Sequence, residues 1–225
     1  NGNTVLAGRG SDTLTLLTGD VGMTSRIFVK AELADGSFVT KTINVSPSSV
    51  LLLYEAPKSY VPVLYEGRSL PSDGATVRVT AIPQMSEGGI MLDPATLSYS
   101  WYLDGQLLKN YSGYGRQSAS IELNYLQDRD DIKVVVYSPS GNTATKTITV
   151  TPHPVMPLLY IYDQIFGTTL KNLVERRFEV TKDFTLSLEP FYVSDKEIKS
   201  PTYTWFLDGL PSTPLGGRLL ALHPK

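Results

Sequence analysis

The chain repeats itself at an offset of 105 residues, and a repeat of that length restricts it to a row of small domains built alike. Residues 27–47 lie over residues 132–152 without a gap, matching Ile, Val, Gly, then Thr-Lys-Thr-Ile, Val and Pro in register. Gly36-Ser37-Phe38-Val39-Thr40-Lys41-Thr42-Ile43 thus stands against Gly141-Asn142-Thr143-Ala144-Thr145-Lys146-Thr147-Ile148. A second repeated stretch, Leu97-Ser98-Tyr99-Ser100-Trp101-Tyr102-Leu103-Asp104-Gly105, returns as Thr202-Tyr203-Thr204-Trp205-Phe206-Leu207-Asp208-Gly209, and the two copies contain both tryptophans. Gly8-Arg9 followed by residues 11–16 matches Gly115-Arg116 followed by residues 118–123, and Gly217-Arg218 is the third occurrence of that pair. The 225 residues therefore divide into 1–47, the C-terminal half of one unit, 48–152, a complete unit, and 153–225, the N-terminal half of another.

Each unit reads as β-structure. Leu97, Tyr99, Trp101 and Leu103 alternate with Ser98, Ser100 and Tyr102, the period of a half-buried strand, and Asp104-Gly105 supplies the positive-φ turn that closes a hairpin. Burying about 200 Å² of one indole at about 25 cal/mol per Å² is worth roughly 5 kcal/mol before entropic costs. Tyr99, Trp101 and Leu103, with Tyr203, Trp205 and Leu207 in the second copy, are accordingly the expected core anchors. The same alternation marks strands at residues 11–16, at Ile27, Val29 and Ala31, at 38–45, at 50–54, and at Val77, Val79 and Ala81 before Pro83. It continues at Ala119, Ile121 and Leu123, at Ile132, Val134 and Val136, and at 144–150. In the third unit it returns at 155–160 and at Phe184, Leu186 and Leu188 before Pro190. Residues 61–65, with Pro62, suit an edge strand because proline donates nothing to a ladder. About seven short strands per unit predict an all-β fold of tandem Greek-key β-sandwiches, one complete and two partial.

The chemistry-bearing residues are few. Net charge is −2 and Lys and Arg are scattered, so no electrostatic footprint for nucleic acid or an anionic membrane is present. The absence of cysteine excludes disulfides, thiolate catalysis and thiolate-bound metals, and leaves the sandwiches to stand on packing. The longest apolar runs, 50–54 and 155–162, fall far short of the roughly 20 residues that span a bilayer, so no membrane insertion is expected. No signal peptide heads the chain and Asn1 is not an initiator Met, which is the expectation for a processed form or a piece of something longer. The two histidines, His153 beside Pro152 and Pro154 and His223 near the C-terminal end, lie in no context that positions a catalytic base. Asp128, Asp130 and Asp131 form the one dense acidic cluster, a candidate calcium loop into which Arg129 intrudes, and no other cofactor is suggested. Tyr111 and Tyr114, in a Gly-Ser loop, are candidate contacts for a sugar or a protein, since tyrosine offers rigid apolar area with a polar tip. Lys41 and Lys146 occupy one equivalent strand position, where a charge guards against edge pairing.

With Tyr-x-Trp-Tyr/Phe-Leu-Asp-Gly followed about thirty residues on by Ile-x-Val-x-Val and Gly-x-x-x-Thr-x-Thr-Ile-x-Val, the chain resembles bacterial Ig-like and PKD-like domains strung in tandem on secreted and cell-surface proteins. The resemblance covers all three units. It implies a sandwich with the tryptophan on the third strand, an extracellular, cell-surface or periplasmic location, and a non-enzymatic stalk, adhesive or assembly role. It departs from antibody-type domains in having no cysteine pair, and from PKD domains in a loop after the tryptophan reduced to Asp104-Gly105. A spacer segment whose partners are neighbouring repeats is the first expectation. Residues 154–218 carry early strands and 8–47 late ones, so a subunit that completes half-domains between copies, head to tail, is the second. An accessory carbohydrate- or protein-binding module working through Tyr111, Tyr114 and residues 84–89 is the third.

Overall fold

The computed structural model describes residues 23–63, 65–173, 183–194, 202–212 and 217–223, together with Gly8, Thr13, Thr15, Leu17, residues 19–21 and Ile198. The chain is all-β, built of antiparallel sheets. Most of the strand expected at residues 11–16 lies outside the described residues.

The first unit is a hairpin, β1 (Ser25–Glu32) and β2 (Phe38–Val45), paired in register from Ser25↔Val45 to Glu32↔Phe38. Its turn is tied by Asp35, whose Oδ1 accepts from the Ser37 amide at 2.9 Å and the Ser37 hydroxyl at 2.6 Å. One face presents Ile27, Val29, Ala31, Val39 and Ile43; the other presents Phe28 and Phe38, the latter under the Lys30 ammonium at 3.5 Å. Phe28, Val29, Val39 and Ile43 are all exposed, and among the described residues neither strand pairs with a third.

The middle unit is a closed sandwich. Its strands are β3 (Ser49–Glu55), β4 (Thr76–Gln84), β5 (Ser86–Glu87), β6 (Ile90–Met91), β7 (Ser98–Leu103), β8 (Gln106–Leu107), β9 (Gly113–Tyr114), β10 (Ser118–Glu122), β11 (Asp130–Tyr137) and β12 (Thr143–Val150). One layer runs β10-β4-β3 and the other β12-β11-β7-β8, with β9 also on β7. Strict alternation aims Val77, Val79 and Ala81 of β4 and Ala119 and Ile121 of β10 at Tyr99 and Trp101 of β7 and Ile132, Val134 and Val136 of β11, giving one shared buried core. Trp101 sits opposite Val134 on β11 and is fully buried. Two hairpins close on paired positive-φ residues, Asp104-Gly105 (φ 47 and 80) after β7 and Gly88-Gly89 (φ 60 and 83) between β5 and β6, the geometry that matches strand twist. The β5–β6 hairpin falls where the sequence suggested only a loop.

The third unit contains β13 (Met156–Asp163), β14 (Gly167–Leu173), β15 (Phe184–Phe191), β16 (Trp205–Leu207), β17 (Leu210–Ser212) and β18 (Leu219–Leu222). Its main sheet runs β14-β13-β15-β18, and β16-β17 forms a separate hairpin. Three points differ from the sequence reading. Of residues 61–65, the described ones, 61–63 and 65, form no strand, because the chain there leaves its own sheet and packs Val61 and Tyr65 against Tyr160, Phe191 and Tyr192 of the third unit. β14 has no counterpart in the middle unit; Asp163, accepting from the Ile165 and Phe166 amides at 2.7 and 2.8 Å, reverses the chain so that β14 returns along β13. The third unit also runs beyond Gly217-Arg218, since β18 pairs with β15 as β10 pairs with β4. Hydrogen bonds shift the repeat by one residue there: the Trp101 indole donates to the Arg116 carbonyl and the Trp205 indole to that of Gly217, so Gly217 replaces Arg116, not Gly115. Among the described residues the third unit therefore has no counterpart of β11 and β12 in the layer facing its main sheet, nor of the short strands β5, β6 and β9.

Candidate functional site

Two surfaces concentrate the chain's unusual side chains: a joint between the middle and third units, and an unfinished core around Trp205. The joint is made by residues 56–63 and 65–75 of the long connection from β3 to β4. Its backbone adds to the end of β15, with the Tyr60 amide donating to the Val193 carbonyl and the Tyr192 amide to the Tyr60 carbonyl, both at 2.7 Å, and a β-bridge at Ser59↔Ser194. The linker joins in, since the His153 amide donates to the Pro71 carbonyl at 2.7 Å.

Side chains fill the seam. Glu189, 4% exposed, accepts at Oε2 from the Tyr60 hydroxyl (2.7 Å) and Arg218 Nη1 (2.8 Å) and at Oε1 from the Ser187 hydroxyl (3.0 Å). Arg218 Nη1 also donates to the Tyr60 oxygen at 2.6 Å. A carboxylate removed from water is tolerable only when its lone pairs are met and its charge balanced, and Tyr60, Ser187 and Arg218 do both. Burial first, and the hydrogen bond to Glu189 second, push the Tyr60 phenol above its ordinary pKa. Beside this triad Tyr65, Phe191 and Tyr192 pack edge to face, with Tyr65–Phe191 centroids 5.2 Å apart and the His153 ring 5.0 Å from Tyr192. Tyr65 and Tyr192 share a hydroxyl hydrogen bond of 3.1 Å, which, reinforced by burial, raises Tyr192 to about 12. Tyr192 has φ 66, a conformation a bulky residue keeps only when its surroundings hold it there.

The second surface is a cleft of about 460 Å³ lined by Pro157, Leu159 and Leu188 from one layer and by Thr202, Tyr203, Thr204 and Trp205 from the other. It occupies the space that the sandwich core fills in the middle unit. Trp205 still donates to the Gly217 carbonyl, at 3.3 Å, but among the described residues only β17 pairs with β16, and Trp205 is half-buried while Leu207 is 50% exposed. Tyr203 is half-buried as well. Of the residues expected in the core, Tyr203 and Trp205 are half-buried at the cleft and Leu207 is exposed, while Tyr99 and Trp101 are buried and Leu103 packs partly buried against the middle core. Tyr99 donates to the Pro94 carbonyl at 2.8 Å, and burial pushes its phenol up to about 12.

The remaining candidates separate. Tyr111 lies half-buried against the middle core, whereas Tyr114, on β9, is exposed, so the two do not form a joint contact surface. Asp128 and Asp131 are exposed and Asp130 is fully buried, because strand alternation at the start of β11 sends Asp130 and Asp131 to opposite faces. Donors already occupy several of these carboxylate oxygens. Asn124 gives its amide to Asp130 Oδ1 at 3.0 Å and its Nδ2 to Asp130 Oδ1 and Asp104 Oδ2, both at 2.7 Å, and the Thr149 hydroxyl reaches Asp131 Oδ1 at 2.7 Å. Among the described residues no group of three or more His, Cys, Asp or Glu side chains is placed to hold a metal, and no helix is long and apolar enough to cross a membrane. His223 pairs with Asp183 at 2.8 Å on the surface.

No family model, curated protein or solved structure matches the chain. The reading of these surfaces therefore rests on their geometry and on the internal repeat. Sequence reasoning passed over the Tyr60, Glu189 and Arg218 triad. A faint signal exists: Leu188-Glu189-Pro190 places a charge where the repeat has Ile82, between Ala81 and Pro83.

Proposed function

We propose that this chain is a non-enzymatic structural segment, a run of Ig-like sandwiches that holds other parts of an extracellular or cell-envelope protein at a set spacing. The observation that carries the reading is the joint. A linker between freely jointed beads needs no buried carboxylate bonded across it, whereas described residues of the 56–75 connection and His153 fasten the middle unit to the third through backbone pairing, the Tyr60 hydrogen bond to Glu189 and an aromatic cluster. Such a seam restricts bending at the joint, which is what a spacer requires. The extracellular or envelope location follows from the resemblance to tandem Ig-like and PKD-like repeats.

The chain has no cysteine, so spin labels can be placed at will. Labels at Lys146→Cys on β12 and Ile165→Cys at the β13–β14 turn, both exposed, report the angle between the units by pulsed electron resonance. The expected result is a narrow distance distribution that broadens in Tyr60→Ala. A distribution already broad in the otherwise unaltered chain would refute the spacer reading.

A further inference from the structure

A cleft of about 420 Å³ opens beside the connection from β10 to β11, lined by Asp73, Gly74, Glu122, Leu123, Asn124 and Tyr125 of the middle unit and by Ser194 of the third. That connection, residues 123–129, has only to reverse the chain, yet several hydrogen bonds pin it. The Asn124 amide and Nδ2 donate to Asp130 Oδ1 at 3.0 and 2.7 Å, and the same Nδ2 donates to Asp104 Oδ2 at 2.7 Å. The Leu126 amide donates to Asp73 Oδ1 at 2.9 Å. Leu126 is thereby kept at φ 61, a conformation that a bulky side chain holds only under such restraint.

This fixing costs stability. Asp130 is fully buried, and among the described residues its Oδ2 has no hydrogen-bond partner. The repeat does not demand it either, since Ser25 stands at the Asp130 position of the first unit. What the pinned connection presents is an aromatic ring: Tyr125 is 67% exposed and lines the cleft. Its ring rests against Gly74, where a Cβ would sit 3.0 Å from Cδ2, and Gly74 has φ 64, so space and backbone both require glycine there.

We propose that this cleft binds a neutral saccharide, with Tyr125 as the stacking platform and Asp73 and Asn124 as acceptors for its hydroxyls. A sugar ring has an apolar C–H face and a rim of hydroxyl donors, and the cleft meets both. The exposed tyrosine ring supplies flat apolar area with a polar tip. Asp73 Oδ2 and Asn124 Oδ1 are the oxygens that the connection's own hydrogen bonds leave over. No lysine or arginine is among the lining residues, which disfavours an anionic ligand. The volume lies toward the small end of the range for ligand pockets and suits one sugar ring or two. Because Ser194 lines the same cleft, a sugar seated there touches both units. Tyr125, unlike Tyr111 and Tyr114, has its acceptors beside it.

An array of neutral glycans selects the sugar, and NMR of the isotope-labelled chain locates it. Titration with the selected sugar is expected to shift the Asn124 and Leu126 amides. Tyr125→Ala and Asp73→Asn should each weaken binding about tenfold. Tyr125→Phe, which keeps the ring, should retain most of the affinity, and Tyr114→Ala should leave it unchanged. Tyr125 is exposed and Asp73→Asn keeps an acceptor for the Leu126 amide, so both chains should fold, with an unmoved Trp101 indole resonance as the check. An array without signal, binding indifferent to Tyr125→Ala, or shifts that leave Asn124 and Leu126 in place would overturn the proposal. Tighter binding of n-butylammonium than of any neutral sugar would also overturn it, making the cleft an ammonium site. The spin-label distances are measured without sugar, so the spacer reading stands or falls separately.

Discussion

Replacing each tryptophan with alanine separates a finished core from an unfinished one within the same motif. Trp101 is fully buried, its indole donates to the Arg116 carbonyl at 2.8 Å, and Val134 lies across it from β11. Removing it strips about 200 Å² of apolar contact, leaves a cavity between two sheets that cannot collapse, and takes the indole donor from the Arg116 carbonyl. These effects together amount to roughly 4–5 kcal/mol. Trp205 is half-buried beside an open cleft, so about half that area is lost, water enters freely and no sealed cavity forms; the loss is about 1–2 kcal/mol. Native-state hydrogen exchange reads the two units apart, using peptides from β11 for the middle unit and from β15 for the third. At low protein concentration Trp101→Ala should speed exchange of the β11 amides by roughly 1,000-fold, and Trp205→Ala should speed β15 by about 5- to 30-fold, at tenfold per 1.4 kcal/mol. Equal effects of the two substitutions at low concentration would mean that Trp205 is already covered within one chain, and the argument from the open cleft would fail.

Arg218→Ala leaves Glu189 buried without its counter-charge and should cost about 2–3 kcal/mol, less than for a fully buried pair because Arg218 is partly exposed; Arg218→Ala/Glu189→Leu should recover most of it. Urea melts of the four chains give the coupling, and strictly additive losses would show that the ion pair contributes nothing. Asp130 is held above the ordinary carboxylate value of 3.8 by burial first, with the nearby Asp104 and Asp73 charges adding and the Asn124 hydrogen bonds opposing. The folded state thus binds this proton more tightly than the unfolded chain does. Its stabilisation is present below 3.8 and disappears as pH rises through the folded value, so Asp130→Asn should flatten the fall in stability with rising pH. Asp35, Glu87 and Asp163, lowered by hydroxyl or amide donors, pull the opposite way, so the readout is the difference between variant and parent from pH 4 to 7; parallel curves would contradict the assignment. Tyr111→Ala should destabilise the middle unit by about 1–2 kcal/mol and Tyr114→Ala by less than about 0.5 in chemical denaturation, since only the first packs on the core. A glycan-array signal that vanished in Tyr114→Ala would place the carbohydrate site at that ring instead.

Local signals carried most of the fold. The alternation in residues 97–103, the Asp-Gly turns and the Ile-x-Val-x-Val strand each act over a few residues, so the middle sandwich and both hairpins could be read directly. What escaped was non-local. Tyr60, Glu189 and Arg218 are separated by 129 and 29 positions, and no periodicity links a phenol in one unit to a carboxylate in the next. β14 escaped for a different reason: Gln164-Ile165-Phe166 reads as apolar chain, and only the Asp163 carboxylate, capturing two amides, makes it a turn. The Asp128, Asp130 and Asp131 cluster looked like a ligand set in one dimension, and pleating dispersed it.

The differences between repeats concentrate on the outer faces. Inside the sandwich the copies substitute like for like: Ile27 for Ile132, Val29 for Val134, Trp205 for Trp101. On the outer faces they do not. Lys133 over Tyr102 becomes Phe28 and Phe206, and the pair Leu51 and Ile82 becomes Leu158 and Glu189. A buried glutamate needs its lone pairs met and its charge balanced, and here Ser187 and Arg218 of its own unit and Tyr60 of the middle unit do so. The exchange at Glu189 falls on the seam between the middle and third units. Substitutions there should alter the spacing of the two units while leaving the middle sandwich intact, and substitutions in the core should do the reverse.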